Sequence, residues 1–255
     1  MKVLISPVSL EEAMLVADNG ADIVDIKNTN EGSLGANFPW VIHEVTSTLL
    51  DRQVTFSATL GDLDYKPGTA ALAALGAAYS GAKYIKAGVY GAKTAAEAGE
   101  VMTAVQRACK DFDPGIVVVT AGYADYRRFG GLDPSALVEA AIISQSDVVM
   151  VDTAIKDGAD LLDNMSIEEI ADFIDLAHKN DLVVAVAGSV KAEHLSELAS
   201  GGADIVGVRG AVCGKGDRTT AIEVEAIRDF IARVRAIAPP ASDPAEPRMA
   251  AVPHM

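Results

Sequence analysis

The segment Ile23-Val24-Asp25-Ile26-Lys27-Asn28 decides how the chain is read. It is a short apolar run that ends in an acid, an amine and an amide, and its length and β-branched content predict a buried β-strand. Residues i and i+2 of a strand share a face, so Asp25 and Lys27 point the same way. An acid and a lysine on an inner face are unusual, because a buried charge is costly unless it is paired. Two other runs have the same character. Tyr84-Ile85-Lys86-Ala87-Gly88-Val89 carries a lysine in its middle. Val148-Val149-Met150-Val151-Asp152 ends in an acid, with Lys156 four residues further on. These three strand ends are expected to meet in space.

Working outward, eight apolar runs alternate with amphipathic stretches. The expected strands are Val3–Pro7, Asp22–Lys27, Val54–Leu60, Tyr84–Val89, Ile116–Ala121, Asp147–Asp152, Val183–Ala187 and Asp204–Arg209. The expected helices are Leu10–Asn19, Pro39–Leu50, Gly68–Ser80, Ala95–Asp111, Pro134–Ser144, Ile167–Asn180, Ala192–Ser200 and Thr220–Ile237. Strands rich in Val and Ile without polar alternation are those covered on both faces. Eight βα units predict an α/β fold, a (β/α)8 TIM barrel formed by residues 1–237 as one domain. A doubly wound open sheet is the alternative. Gly20-Ala21-Asp22-Ile23-Val24 returns as Gly202-Ala203-Asp204-Ile205-Val206, and more loosely as Gly81-Ala82-Lys83-Tyr84-Ile85. Each places Gly-Ala before a strand, as a helix C-cap and tight turn require.

The 255 residues suit one large domain or two small ones, and 50% of them are hydrophobic. Mean hydropathy is +0.23, yet no apolar run approaches the roughly 18 residues of a membrane span. The start, Met1-Lys2-Val3-Leu4-Ile5-Ser6-Pro7, is too soon broken to read as a secretion signal. Cys109 and Cys213 stand far apart and in no metal-type spacing, so a reduced, cytoplasmic setting is expected. The four histidines are unclustered, and no metal site is expected. The formal net charge of −15 argues against nucleic acid and anionic membrane as partners. It would also repel a phosphate ester, which local lysines and backbone N–H groups would have to hold. A homo-oligomer is expected. Residues 238–255 hold half of the ten prolines and read as a disordered tail.

In a parallel barrel the active site lies at the C-terminal strand ends. The polar residues expected there are Asp25, Lys27, Asn28, Ser57, Thr59, Lys86, Thr120, Asp152, Thr153 and Lys156, with Gly188-Ser189 and Arg209-Gly210 on the last two strands. The N-terminal ends carry no comparable set of lysines. Two lysines inside a barrel invite carbonyl chemistry. A neutral amine condenses with an aldehyde to a Schiff base, and the imine acidifies the neighbouring C–H. Burial and a neighbouring cation both lower an amine's pKa, so Lys27 and Lys86 could perturb each other while Asp25 moves protons. The alternative is a structural ion pair, Asp25–Lys27 or Lys86–Asp152, that plugs the barrel. Spacing does not say which lysine is the nucleophile.

Gly188-Ser189 and Arg209-Gly210 form small, Gly-bearing steps where backbone N–H groups can approach a phosphate. The loop Glu31-Gly32-Ser33-Leu34-Gly35-Ala36-Asn37 reads as a lid or a plain connection; it lacks the Gly-Lys-Ser/Thr of a P-loop. Gly214-Lys215-Gly216-Asp217-Arg218 poses the same question, with charges that could touch a second phosphate. Tyr123, Tyr126 and Arg127-Arg128 are expected as surface or subunit contacts, and Phe38 and Trp40 as packing.

Lys27-Asn28, Glu31 through Trp40, Tyr65-Lys66-Pro67-Gly68-Thr69, Tyr84-Ile85-Lys86, Ala121-Gly122-Tyr123-Ala124-Asp125, Asp152 through Gly158, Ala187-Gly188-Ser189 and Gly207 through Ala211 resemble the (5-formylfuran-3-yl)methyl phosphate synthases. These are also called 4-(hydroxymethyl)-2-furancarboxaldehyde-phosphate synthases. The resemblance covers roughly residues 1–235 and implies a (β/α)8 lyase. Such an enzyme condenses two glyceraldehyde 3-phosphate molecules to a furan aldehyde phosphate, with loss of phosphate and water, for methanofuran-type one-carbon carriers. It implies Lys27 as the Schiff-base lysine, Lys86 as the proton acceptor, and Asp25, Asp152 and Lys156 as further active-site residues. No metal or organic cofactor is implied. A class I sugar-phosphate aldolase and a non-catalytic phosphosugar-binding subunit are the competing readings.

Overall fold

The computed structural model of the protein describes residues 1–238. The expected tail, beyond its first residue, lies outside the described residues. Eight strands form a closed sheet in sequence order: β1 Lys2–Ile5, β2 Ile23–Ile26, β3 Thr55–Asp62, β4 Tyr84–Gly88, β5 Val117–Tyr123, β6 Val148–Asp152, β7 Val183–Val186 and β8 Ile205–Val208. All neighbours are parallel, and Lys2–Ile5 pairs with Ile205–Val208 to close the ring. The chain is therefore a (β/α)8 barrel, and the open-sheet alternative falls.

The outer layer is α1 Leu10–Asp18, α2 Pro39–Thr48, α3 Pro67–Tyr79, α4 Ala95–Phe112, α5 Pro134–Ser144, the short α6 Leu161–Asn164, α7 Ile167–His178, α8 Leu195–Ser200 and α9 Val224–Ile237. Local sequence explains their starts. Ser9 and Thr94 accept hydrogen bonds from the backbone N–H groups of Glu12 and Glu97, and Ser166 forms a capping box with Glu169. Helices α2, α3 and α5 begin with proline, whose missing N–H is unused there. The last helix begins later than Thr220. Ile222 is held in an extended bridge to Cys213 and donates its N–H to Glu12 Oε1, so the helix can start only beyond it.

The strands separate two cores. Leu4, Ile23, Tyr84, Val117, Val119, Val148, Met150 and Ile205 fill the barrel, while Val24, Ile85, Val118, Val149 and Val206 pack under the helices. Each buried Val, Ile or Leu contributes about 1.5–3 kcal/mol of transfer free energy. This alternation moves one residue expected at the mouth. Thr120 lies between inward Val119 and Ala121, so it faces the helical layer and shares a hydrogen bond with Ser146 Oγ at 2.8 Å.

The N-terminal rim carries a repeated device. Asp22, Asp147 and Asp204 each stand just before an even-numbered strand. Each accepts a backbone N–H from the strand before it: Val3 at 2.6 Å, Val118 at 2.8 Å and Val184 at 2.8 Å. Their other partners are Arg235, Lys110 and His178. The Gly-Ala-Asp echo is thus the mark of a strand-locking carboxylate. At β4 the same position is Lys83, which pairs outward with Asp113.

Candidate active site

Asp25 and Lys86 sit on alternate strands, and side chains of alternate strands share a layer of a barrel interior. Their contact follows: Lys86 Nζ lies 2.7 Å from Asp25 Oδ1, with the two side chains 2% and 0% exposed. The pairing expected from sequence, Asp25 with Lys27 or Lys86 with Asp152, is not the one found. Strand neighbours two residues apart point the same way but stand side by side, whereas the layer brings β2 and β4 face to face across β3. Ser6 Oγ donates to the other oxygen of Asp25 at 2.9 Å.

Burial pushes the Asp25 carboxyl up, but the charges of Lys86 and Lys27 outweigh it and hold the group below the usual carboxylate range. For Lys86, burial is the largest influence and lowers the amine; Asp25 opposes this and Lys27 adds to it. A second pair lies at the end of β6. Lys156 Nζ donates to Asp152 Oδ1 at 2.7 Å and to Thr153 Oγ1 at 2.9 Å. Burial raises Asp152, yet Lys156 and Lys27 pull it well below its ordinary value. Burial likewise lowers Lys156, against the pull of Asp152. Asp125 fixes this loop by accepting the N–H groups of Ala154 and Ile155, both at 2.8 Å.

A cavity of about 690 Å³ opens at the C-terminal mouth, and Asp25, Lys27, Asp152 and Lys156 line it. Lys86 does not reach its wall and sits behind Asp25. Lys27 makes no ion pair or side-chain hydrogen bond among the described residues. The far wall holds Gly188, Ser189, Arg209 and Gly210. The backbone N–H groups of Gly188, Ser189 and Gly210 donate to no group among the described residues. Gly188 has φ +108°, and a Cβ there would come within 3.1 Å of Thr153 N, so only glycine fits the turn without displacing the β6 loop.

Several expectations change. Arg209 borders the cavity, but its charged end is committed elsewhere: the guanidinium binds Glu12 at 2.7 Å and the carbonyls of Ser6 and Arg218 at 3.0 and 2.9 Å. Tyr123 is buried rather than a surface contact, and donates its hydroxyl to Asp62. Tyr126 is half-buried, and Arg127 and Arg128 are exposed in ion pairs with Glu169 and Asp157. Phe38 and Trp40 stack on each other at the surface, Trp40 being 67% exposed, so they are not core packing.

The loop after β2 is a pinned plug. Ser33 donates its N–H to Asp62 Oδ2 at 2.9 Å and its hydroxyl to Thr153 O at 2.7 Å, and Leu34 is fully buried among the barrel's inner residues. Thr59 Oγ1 holds Gly35 O at 2.7 Å. A Cβ on Gly35 would come to 2.1 Å from Asn28 O, so the turn requires glycine. Sequence reading missed Asp62, the centre of this network. A bulge between Thr59 and Asp62 shifts the register, and Gly61 with φ +113° marks it. A glycine closing the apolar run, directly before an acid, was the available signal.

Among the described residues no three His, Cys, Asp or Glu side chains gather in a group that could hold a metal ion. No helix among them is long and apolar enough to cross a membrane.

Fold and site together define a (β/α)8 barrel whose C-terminal mouth gathers three lysines and two carboxylates. A profile of the 4-HFC-P synthase family matches residues 3–231, and the chain belongs to that family of enzymes. It is 52% identical over 232 residues to the (5-formylfuran-3-yl)methyl phosphate synthase of Methanosarcina acetivorans, covering 91% of this chain and 98% of that one. It is 52% identical over 227 residues to the Archaeoglobus fulgidus protein of the same name, covering 89% and 96%. Among solved structures, KGPDC from Streptococcus mutans matches with a TM-score of 0.63 at 14% identity, over 92% of this chain and 97% of that one. At that identity the likeness speaks for the fold alone.

Proposed function

We propose that the protein is a cytoplasmic lyase that condenses two molecules of glyceraldehyde 3-phosphate to (5-formylfuran-3-yl)methyl phosphate, releasing one phosphate and two waters. The product would serve as the furan unit of a methanofuran-type carrier. The aldehyde of one triose condenses with Lys27 Nζ, and water leaves as the imine forms. Removal of the adjacent C–H proton gives an enamine carbon that attacks the second triose. Elimination of phosphate, ring closure and loss of water make the furan, and hydrolysis of the imine frees Lys27.

The observation that carries this division of labour is the position of the two amines. Lys27 lines the cavity with no ionic partner among the described residues, where a carbonyl can reach it. Lys86 is sealed behind Asp25, and burial lowers its pKa, which suits a group that takes protons through that carboxylate. Asp152 and Lys156 form the second proton-moving pair, close to the first carbonyl. The free N–H groups of Gly188, Ser189 and Gly210 suit a phosphoryl group. Self-association belongs to the same reading and is checked by sedimentation.

Incubation with glyceraldehyde 3-phosphate alone tests the reaction. A furan chromophore appearing with free phosphate supports it; a plain sugar phosphate would make the protein an aldolase. Borohydride reduction followed by mass spectrometry tests the lysine. A trapped adduct that survives Lys27→Ala but vanishes in Lys86→Ala would reverse the two roles. No adduct at all would leave only binding.

A further inference from the structure

The basic residues of this chain are outnumbered, 21 against 36 acids, and nearly all are held. Among the described residues, arginines and lysines pair with carboxylates at Arg52, Lys66, Lys83, Lys86, Arg107, Lys110, Arg127, Arg128, Lys156, Lys179, Lys191, Arg209, Arg233 and Arg235. Lys93 and Arg228 bond to neutral oxygens, and Lys2 is engaged as well. Three cations are left whose side chains make no hydrogen bond or ion pair among the described residues: Lys27, Lys215 and Arg218. All three line the same cavity. Surplus acid elsewhere would satisfy any stray cation, so uncommitted positive charge kept at one place points to an anion that arrives there.

The backbone carrying Lys215 and Arg218 is fixed from below. Arg209 Nε donates to the carbonyl of Arg218 at 2.9 Å, and Arg209 Nη2 to that of Thr220 at 3.3 Å. Glu12 anchors that guanidinium at 2.7 Å and also holds Ile222 N. Within the loop, Asp217 N donates to Gly214 O, and Thr220 Oγ1 to Gly214 O and Asp217 O. Lys215 at φ 55° and Gly216 at φ +74° fold the chain back over the mouth. Arg218 lies beside Gly210, and both line the same cavity. Its charge is also felt by Lys156 across the cavity.

We propose that Lys215 and Arg218 are the side chains that bind the substrate's phosphoryl group, and that the buried Glu12–Arg209 pair positions their loop without touching the ligand. The inference rests on the triose phosphate reading above and gives its specificity a source. Arg218 supplies charge-assisted bonds to the phosphoryl oxygens opposite the amide N–H groups of Gly188, Ser189 and Gly210.

The test uses the full chain and inorganic phosphate as probe. Calorimetric titration of a Lys215→Ala/Arg218→Ala variant is expected to show affinity at least about tenfold weaker than wild type, as the loss of charge-assisted bonds implies. The KM for glyceraldehyde 3-phosphate should rise at least about as much, while borohydride still traps unphosphorylated glyceraldehyde on Lys27. Glu12→Gln should also weaken phosphate binding, though Glu12 is not on the cavity wall; thermal melting shows whether it is folded. If Glu12→Gln is unfolded, the double variant decides the phosphoryl site alone. Phosphate affinity within about twofold of wild type in the double variant overturns the proposal. Affinity unchanged in a folded Glu12→Gln overturns the positioning part. If wild type forms no adduct with either aldehyde, the function fails, and the phosphate titration still decides this inference.

Discussion

The two ends of the barrel put the same residue types to opposite uses. At the N-terminal rim, Asp22, Asp147 and Asp204 each take a backbone N–H and one further side chain, Arg235, Lys110 and His178 in turn, so the carboxylate serves to lock a strand. These carboxylates are partly exposed, and water screens them. At the C-terminal mouth, Asp25 and Asp152 are almost wholly buried and paired with lysines that burial drives toward the neutral form. The first arrangement ties backbone to side chain. The second leaves protons able to move. Burial and the identity of the partner, rather than the acid itself, separate the two ends.

The comparison breaks most sharply at Lys27. Lys27→Ala should lower furan formation by at least about a thousandfold, since a covalent step is lost outright, while the melting temperature stays close to wild type. A large fall in melting temperature would make Lys27 structural like the rim residues. Next comes Lys86→Met, which leaves Asp25 buried without its cation. The expected cost is about 3–5 kcal/mol in chemical denaturation, together with loss of turnover; a stable variant would mean that the pair is not closed in solution.

Acid should separate the two ends as well. Asp25 and Asp152 are both held below their usual values. Their pairs therefore contribute full stability above about pH 4, the unfolded carboxylate value. That contribution is lost as pH falls through the depressed folded values, because the unfolded chain then takes up protons more readily. An Asp25→Asn/Lys86→Met variant should show a shallower acid limb when stability is followed against pH. An unchanged limb would assign acid sensitivity elsewhere. The smallest effect is expected at the other end. Asp204→Asn should cost about 1.5–3 kcal/mol, the scale of a hydrogen bond to a charged group, with turnover unaltered. A fall in turnover would show that strand locking reaches the mouth.

Periodicity made much of this readable in advance. Asp25, Lys86 and Asp152 stood out because each interrupts an apolar strand, and the parity of a strand says that such residues face one core or the other. The same rule places Thr120 outward, although its position near a strand end had put it among the residues expected at the mouth. At Asp62 a bulge after Gly61 resets the register, and no count along the apolar run reaches it. Tyr123 was misjudged because β5 runs two residues further than its apolar segment, which puts an aromatic ring beneath the plug. At Arg209 the reading concerned the backbone N–H groups and left the guanidinium unassigned. Nothing local could show that Glu12, far earlier in the chain, would claim it.

The amino-acid order alone determined the eightfold alternation, the barrel, and the identity of the charged residues at its strand ends, because these follow from side-chain period and the cost of burying charge. Which lysine meets which acid, which cations stay unclaimed, and which loop is pinned were decided only when the sheet closed. Closure sets alternate strands face to face and brings β8 against β1, and those contacts depend on distances across the barrel that no stretch of chain contains.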